Sequence, residues 1–179
     1  TAATCIPKSC DASAAPAHGM VGTCSGDLSS GATCQPTCSV GYTASGPSAC
    51  SLGVLSAATC VADACDASAA PVNGAVGTCT GSLASGMTCQ PVCNAGYTAS
   101  GPSRCFAGSL SAVTTCEPDP CDASTAPQHG AVGTCTASLA SGSTCQPSCG
   151  PGYTVTGPSS CHLAVLTPAT CAPARCHPS

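Results

Sequence analysis

Cysteine is the residue through which this chain can do chemistry, and it stands in a fixed rhythm. "CQPTC" at 34–38, "CQPVC" at 89–93 and "CQPSC" at 145–149 are C-x3-C spacings. Thiolates at such a spacing suit zinc when a second Cys or His pair follows. Oxidised, they suit a disulfide framework. Histidine separates the two: His18 and His129 occupy a place where the intervening copy has Asn73, so no regular histidine ligand accompanies the thiols. Six cysteines per copy fit three disulfides, whereas a four-ligand site leaves two over. Disulfides are expected, with no metal and no other cofactor.

The remaining reactive groups are sparse. Acid–base catalysis needs positioned His or carboxylate groups, and a nucleophile needs an adjacent base. Asp11, Asp66 and Asp122 each sit alone in "CDAS". An Asx turn beside the cysteine is their expected role, and calcium would need several clustered oxygens. No enzyme is expected. Arg104, Phe106 and His162 occur once each in their places and read as drift or a surface contact.

These residues are carried by repeats. "CDASAAPAHGMVGTC" at 10–24 returns as "CDASAAPVNGAVGTC" at 65–79 and "CDASTAPQHGAVGTC" at 121–135. The repeats span 10–60, 65–116 and 121–171, with one inserted residue before Cys116 in the second. Residues 1–9 read as the end of a preceding repeat plus a joint, and 172–179 as a joint and the start of a following one. Cys5 thus holds a last-cysteine position and Cys176 a first, so a longer array or an end-to-end link between chains is expected. The joints "IPKS", "VADA", "EPDP" and "APAR" are short and often contain proline. Such linkers restrict motion, and a stiff or semi-stiff rod is expected.

Composition agrees with small stapled modules. The chain has 179 residues, 20 of them cysteine, with no tryptophan, three tyrosines and one phenylalanine. That density belongs to disulfide scaffolds made in oxidising compartments, so a secreted or cell-surface location is expected on cysteine alone. Charged residues are 6% and only three are basic, which removes the clustered Lys and Arg of a nucleic-acid footprint. No apolar run reaches the length of a membrane-spanning helix.

Within each repeat, C-x-x-G-Y followed by Gly and Cys resembles the sushi, or complement control protein, family. In the second repeat Cys65, "PVNG" at 71–74, Gly86, "CNAGY" from Cys93, Cys105 and Cys116 match that pattern. The resemblance implies an all-β fold of three small disulfide-rich modules end to end. It also implies first-to-third and second-to-fourth pairing of the family's four cysteines, hence Cys65–Cys105 and Cys93–Cys116, leaving Cys79 with Cys89. The equivalents are Cys10–Cys50, Cys38–Cys60 and Cys24–Cys34, then Cys121–Cys161, Cys149–Cys171 and Cys135–Cys145. Spacing alone leaves 15 connectivities open for six cysteines. The departures are informative. Leu83, Cys89, Pro91 and Leu110 stand where the family has Tyr, Val, Tyr and Trp. Aromatics of that kind bury about 150–250 Å² each. An added disulfide, typically worth about 2–4 kcal/mol, replaces them.

The resemblance makes Tyr42, Tyr97 and Tyr153 the residual core rather than sugar-stacking rings. It also places Thr43, Ser45, Thr98, Ser100, Thr154 and Thr156 on a segment with alternating exposed positions, as candidates for O-glycosylation. Positive mean hydropathy with little charge asks for a covering of sugar or for self-association. Low-charge, Ala/Ser/Thr-rich cysteine repeats are also similar to surface proteins of unicellular algae and related protists. A structural extracellular protein is therefore expected, self-associating head to tail into a rod or filament and carrying covalent glycans. The alternative is an adhesion ectodomain that binds proteins or glycans through repeated modules.

Overall fold

Apolar stretches broken by Gly and Pro every few residues cannot sustain long ladders. In the computed structural model, which describes residues 7–175, strands accordingly run only two to four residues. Cys5 and Cys176 lie outside the described residues. No described residue is helical.

The first repeat contains β1 (Gly19–Met20), β2 (Thr33–Cys34), β3 (Thr37–Cys38), β4 (Tyr42–Ala44), β5 (Ser48–Ser51), β6 (Val54–Ser56) and β7 (Cys60–Ala62). The second contains β8 (Gly74–Ala75), β9 (Thr88–Cys89), β10 (Val92–Cys93), β11 (Tyr97–Ala99), β12 (Ser103–Phe106), β13 (Ser109–Ala112) and β14 (Cys116–Pro118). The third contains β15 (Gly130–Ala131), β16 (Thr144–Cys145), β17 (Ser148–Cys149), β18 (Tyr153–Val155), β19 (Ser159–His162), β20 (Val165–Thr167) and β21 (Cys171–Pro173).

Every pairing is antiparallel, and the same topology recurs in each repeat. A three-stranded sheet, β2-β5-β6 in the first, accompanies two ribbons, β1-β3 and β4-β7. The three-stranded sheet goes with the disulfides Cys10–Cys50 and Cys24–Cys34, and the ribbons with Cys38–Cys60. The second repeat joins Cys65 to Cys105, Cys79 to Cys89 and Cys93 to Cys116. The third joins Cys121 to Cys161, Cys135 to Cys145 and Cys149 to Cys171.

Two compact units divide the described chain. One runs to Ala69 and adds Thr78–Cys89 and Pro102–Val113; the other comprises Ala70–Gly77, Gln90–Gly101 and the chain from Thr114 onward. The first unit therefore holds the whole first repeat with the three-stranded part of the second. The second unit holds the ribbon part of the second repeat with the whole third.

Cysteine, alanine and leucine make the core. Cys10, Ala12, Leu28, Cys34 and Cys50 form one cluster, and Cys121, Ala123, Cys135, Leu139, Cys145 and Cys161 its counterpart. Leu28, Leu83 and Leu139 are each pinned by a bridge to the first cysteine of their repeat. The segment between Cys79 and Cys89 consists of two turns flanking Leu83, which packs half-buried against Ala67, Cys79 and Cys89. The tyrosines are half-buried and belong to none of these clusters, so they are not the residual core expected of them. Leu55 and Leu166 border hollows of about 290 Å³ and 280 Å³.

The residue inserted in the second repeat has a definite place. Between β12 and β13 the register shifts, with Arg104 opposite Ala112 but Cys105 opposite Leu110. The extra residue is absorbed as a β-bulge, and Cys116 still reaches Cys93.

Candidate functional site: the joint between repeats

The joint is built from three short pieces of chain. In "VADA" the Asp63 amide donates to the Gly41 carbonyl at 2.8 Å, and the Gly108 amide donates to the Asp63 carbonyl at 2.9 Å. In "EPDP" the Asp119 amide donates to the Gly96 carbonyl at 2.8 Å, and the Ala164 amide donates to the Asp119 carbonyl at 3.1 Å. One linker residue is therefore bonded to the repeat before it and to the repeat after it. At the first joint the Thr43 hydroxyl also donates to the Asp63 carboxylate at 2.6 Å.

The piece from the following repeat is a two-residue hairpin turn: Ala107–Gly108 after β12, Leu163–Ala164 after β19. Both residues of each turn have positive φ, 43° and 76° in one and 48° and 64° in the other. That is the type I′ geometry whose twist suits a tight hairpin. Alanine and leucine are uncommon in it, because the left-handed region crowds Cβ against the carbonyl. A serine from the preceding turn holds each in place: the Ala107 amide donates to Ser85 Oγ and the Leu163 amide to Ser141 Oγ, both at 2.9 Å. The first repeat has the same turn at Leu52–Gly53, its Leu52 amide donating to Ser30 Oγ.

The piece from the preceding repeat is the glycine before each tyrosine. A Cβ on Gly41 would lie 2.3 Å from the Ala107 carbonyl oxygen, and one on Gly96 2.6 Å from Leu163 Cβ. Only glycine lets the turn approach so closely. In the sequence this glycine is visible as part of the C-x-x-G-Y pattern, whereas the serine latches are not. Their one visible signal is recurrence at 30, 85 and 141.

The six candidate hydroxyls are all exposed and alternate with half-buried neighbours, but they do different work. Ser45 Oγ and Ser100 Oγ accept the amides of Thr59 and Thr115. Thr156 Oγ1 accepts the Thr170 amide and shares a second contact with the Thr170 hydroxyl. Thr43 is engaged with Asp63, as above. Thr98 and Thr154 stand on the outer side of ribbons β11-β14 and β18-β21, opposite Glu117 and Ala172.

Asp11, Asp66 and Asp122 each accept from the hydroxyl and the amide of the serine two residues on, at 2.6 Å and 2.9–3.0 Å. These bonds, the hydroxyl's first and the amide's second, hold the three carboxyls below the usual aspartate range. The aspartates are Asx turns, as their residue types suggest.

His18, Asn73 and His129 share a left-handed conformation, φ 58°, 60° and 63°, which His and Asn tolerate better than most residues. Their alternation is thus conformational. The two imidazoles stack on Tyr42 and Tyr153, with ring centroids 4.3 Å apart. An open hollow beside His129 and Tyr153 is lined by Gly150 and Pro151. Arg104 and Phe106 lie exposed on β12, and His162 is exposed at the end of β19.

Every described cysteine is in a disulfide, which calls for an oxidising environment. Among the described residues no helix is long and apolar enough to cross a membrane. Comparison with protein-family models and with curated proteins finds no match.

Proposed function

We propose that the chain is a structural extracellular repeat protein: sushi-like modules added end to end into a rod or filament that is O-glycosylated on its exposed threonines. One observation carries this reading. Both described joints use the same linker position, the same glycine and the same left-handed turn, with the same pair of hydrogen bonds. A joint made by one rule can be repeated without limit, and heterologous contacts that do not close generate open fibres. Thr98 and Thr154 are the best-presented glycan acceptors, because their hydroxyls carry no part of the fold.

Intact mass with and without reductant, together with electron micrographs, tests the reading. A mass above 16.8 kDa in sugar-sized steps and extended multimers are expected. An unmodified chain seen only as isolated single particles defeats it.

The stacked His129–Tyr153 pair beside an open hollow favours a second reading, a recognition module for protein or glycan. A glycan and cell-surface-protein screen that finds a binder lost on Tyr153→Ala would support that reading instead.

A further inference from the structure

The two described joints share their backbone bonds and differ in one chemical respect. Asp63 is followed by Ala64 but Asp119 by Pro120, and Asp119–Pro120 is the only Asp–Pro bond in the sequence. Such a bond is open to attack from within. The aspartyl carboxyl is tethered beside its own main-chain carbonyl, and the proline nitrogen, part of a tertiary amide, is a better leaving group than an ordinary peptide nitrogen. The surroundings favour the attack. The Asp119 carbonyl accepts the Ala164 amide at 3.1 Å, from a turn that the Ser141 latch holds in place. A fixed N–H donor on a carbonyl stabilises the oxyanion that forms when the carbonyl is attacked. At the first joint the Thr43 hydroxyl occupies the Asp63 carboxylate. At the second, among the described residues, the Asp119 carboxyl accepts no hydrogen bond. Asp119 is half-buried and Pro120 exposed, so water reaches the bond.

We propose that Asp119–Pro120 is a self-cleavage site, at which the Asp119 carboxyl acts on its own main-chain carbonyl and parts the second repeat from the third in acidic surroundings. A carboxyl oxygen of Asp119 bonds to the Asp119 carbonyl carbon while the Ala164 amide holds the carbonyl oxygen. The C–N bond to Pro120 then breaks, and the carboxyl proton passes to the proline nitrogen, which leaves as a secondary amine. Water opens the cyclic anhydride so formed and leaves two carboxyl groups on Asp119. One water is consumed and no oxidant or reductant is needed. The titratable groups around this segment are Glu117 two residues earlier, Tyr97 across the ribbon from Pro118, His162 beside the Leu163–Ala164 turn, and Asp122, which is closed in its Asx turn. No lysine or arginine stands on β11, β14 or β19, so no fixed cation holds the Asp119 carboxyl ionised. The cut would be complete, because Cys93–Cys116 lies wholly before the bond and Cys121–Cys161 wholly after it, and no described disulfide crosses it. None of this depends on the array reading above, since the bond is the same in an isolated chain.

Incubation of the intact oxidised chain at about pH 4, within the titration range of aspartyl side chains, tests this by mass spectrometry and electrophoresis without reductant. Two products are expected, one ending at Asp119 and one beginning at Pro120, which together exceed the parent mass by one water. Incubation at neutral pH is expected to leave the chain whole. Asp119→Asn keeps both backbone bonds of the linker, and Pro120→Ala restores the residue type that the first joint has at Ala64. Both variants are expected to keep the parent's circular dichroism and to lose the cleavage. A reduced and alkylated chain, which no longer presents the Ala164 amide, is expected to cleave more slowly than the oxidised one. A parent chain that stays whole in acid overturns the proposal, and so does cleavage at this bond that persists in either variant. Equal rates in the oxidised and reduced chains overturn the part assigned to the Ala164 amide.

Discussion

Acid is the condition that acts on single residues here, through Asp11, Asp66 and Asp122. Each carboxyl is more acidic folded than unfolded, because a serine hydroxyl and amide bond its charged form. The stabilisation is therefore complete above the unfolded value and lost as pH falls through the lower folded one. Melting temperature is expected to hold from neutrality down to about pH 5 and then to fall more steeply than in a triple Asp→Asn variant, whose amides accept the same bonds without titrating. Parallel curves for the two proteins would assign acid sensitivity to other groups. This role was legible in the sequence because it joins residues two apart. The tasks of Ser30, Ser85 and Ser141 were not legible, since each meets an amide 22 residues further on. Nothing local distinguishes those serines from others in a serine-rich chain.

Between elements, the glycine before each tyrosine carries the most specific prediction. Gly41, Gly96 and Gly152 share φ near 80°, so alanine at any of them costs about 1–2 kcal/mol in backbone strain. At Gly41 and Gly96 the new methyl also meets the docked turn at 2.3–2.6 Å, adding roughly 1–3 kcal/mol of overpacking. Chemical denaturation should therefore rank Gly41→Ala and Gly96→Ala well below Gly152→Ala, where no described residue lies within 4 Å of the new methyl. Equal losses at all three would mean that the turns do not press on these glycines in solution. The short strands and turn-rich connections followed from the Gly and Pro punctuation. The bulge at Arg104–Cys105 was visible only as a spacing anomaly, because a length difference does not say which strand absorbs it. The tyrosines misled for a related reason. An aromatic in a chain poor in aromatics invites a core role, yet the buried volume went to cystine, alanine and leucine.

For the whole molecule, cross-links take the place of a large apolar interior. Closing a ring of about 40 residues restricts the unfolded chain by roughly 4 kcal/mol, and one of about 10 by roughly 3 kcal/mol. Full reduction with trapping of the thiols is expected to abolish the β-sheet circular dichroism signal and to expand the chain on gel filtration. A compact, structured reduced chain would mean that the clusters around Leu28 and Leu139 suffice without sulfur. Composition made the all-β, disulfide-rich class readable, because so little else could hold the chain together. Cysteine spacing could not supply the pairing, since six positions per repeat are compatible with many rings.

The nesting of those rings sets a timetable for oxidative maturation. Cys24–Cys34, Cys79–Cys89 and Cys135–Cys145 are 10 residues apart, while Cys10–Cys50, Cys65–Cys105 and Cys121–Cys161 are 40 apart and enclose them. Two doublings of loop length cost about 1.2 kcal/mol of closure entropy, roughly an eightfold handicap. The inner rings can close while the nascent chain is still emerging, before their near-identical counterparts downstream exist to compete for partners. The outer rings must wait, and their cysteines then face sequence twins in neighbouring repeats. Fidelity in making such a protein thus depends on synthesis proceeding from one end, and a chain reduced and reoxidised all at once would have lost that protection.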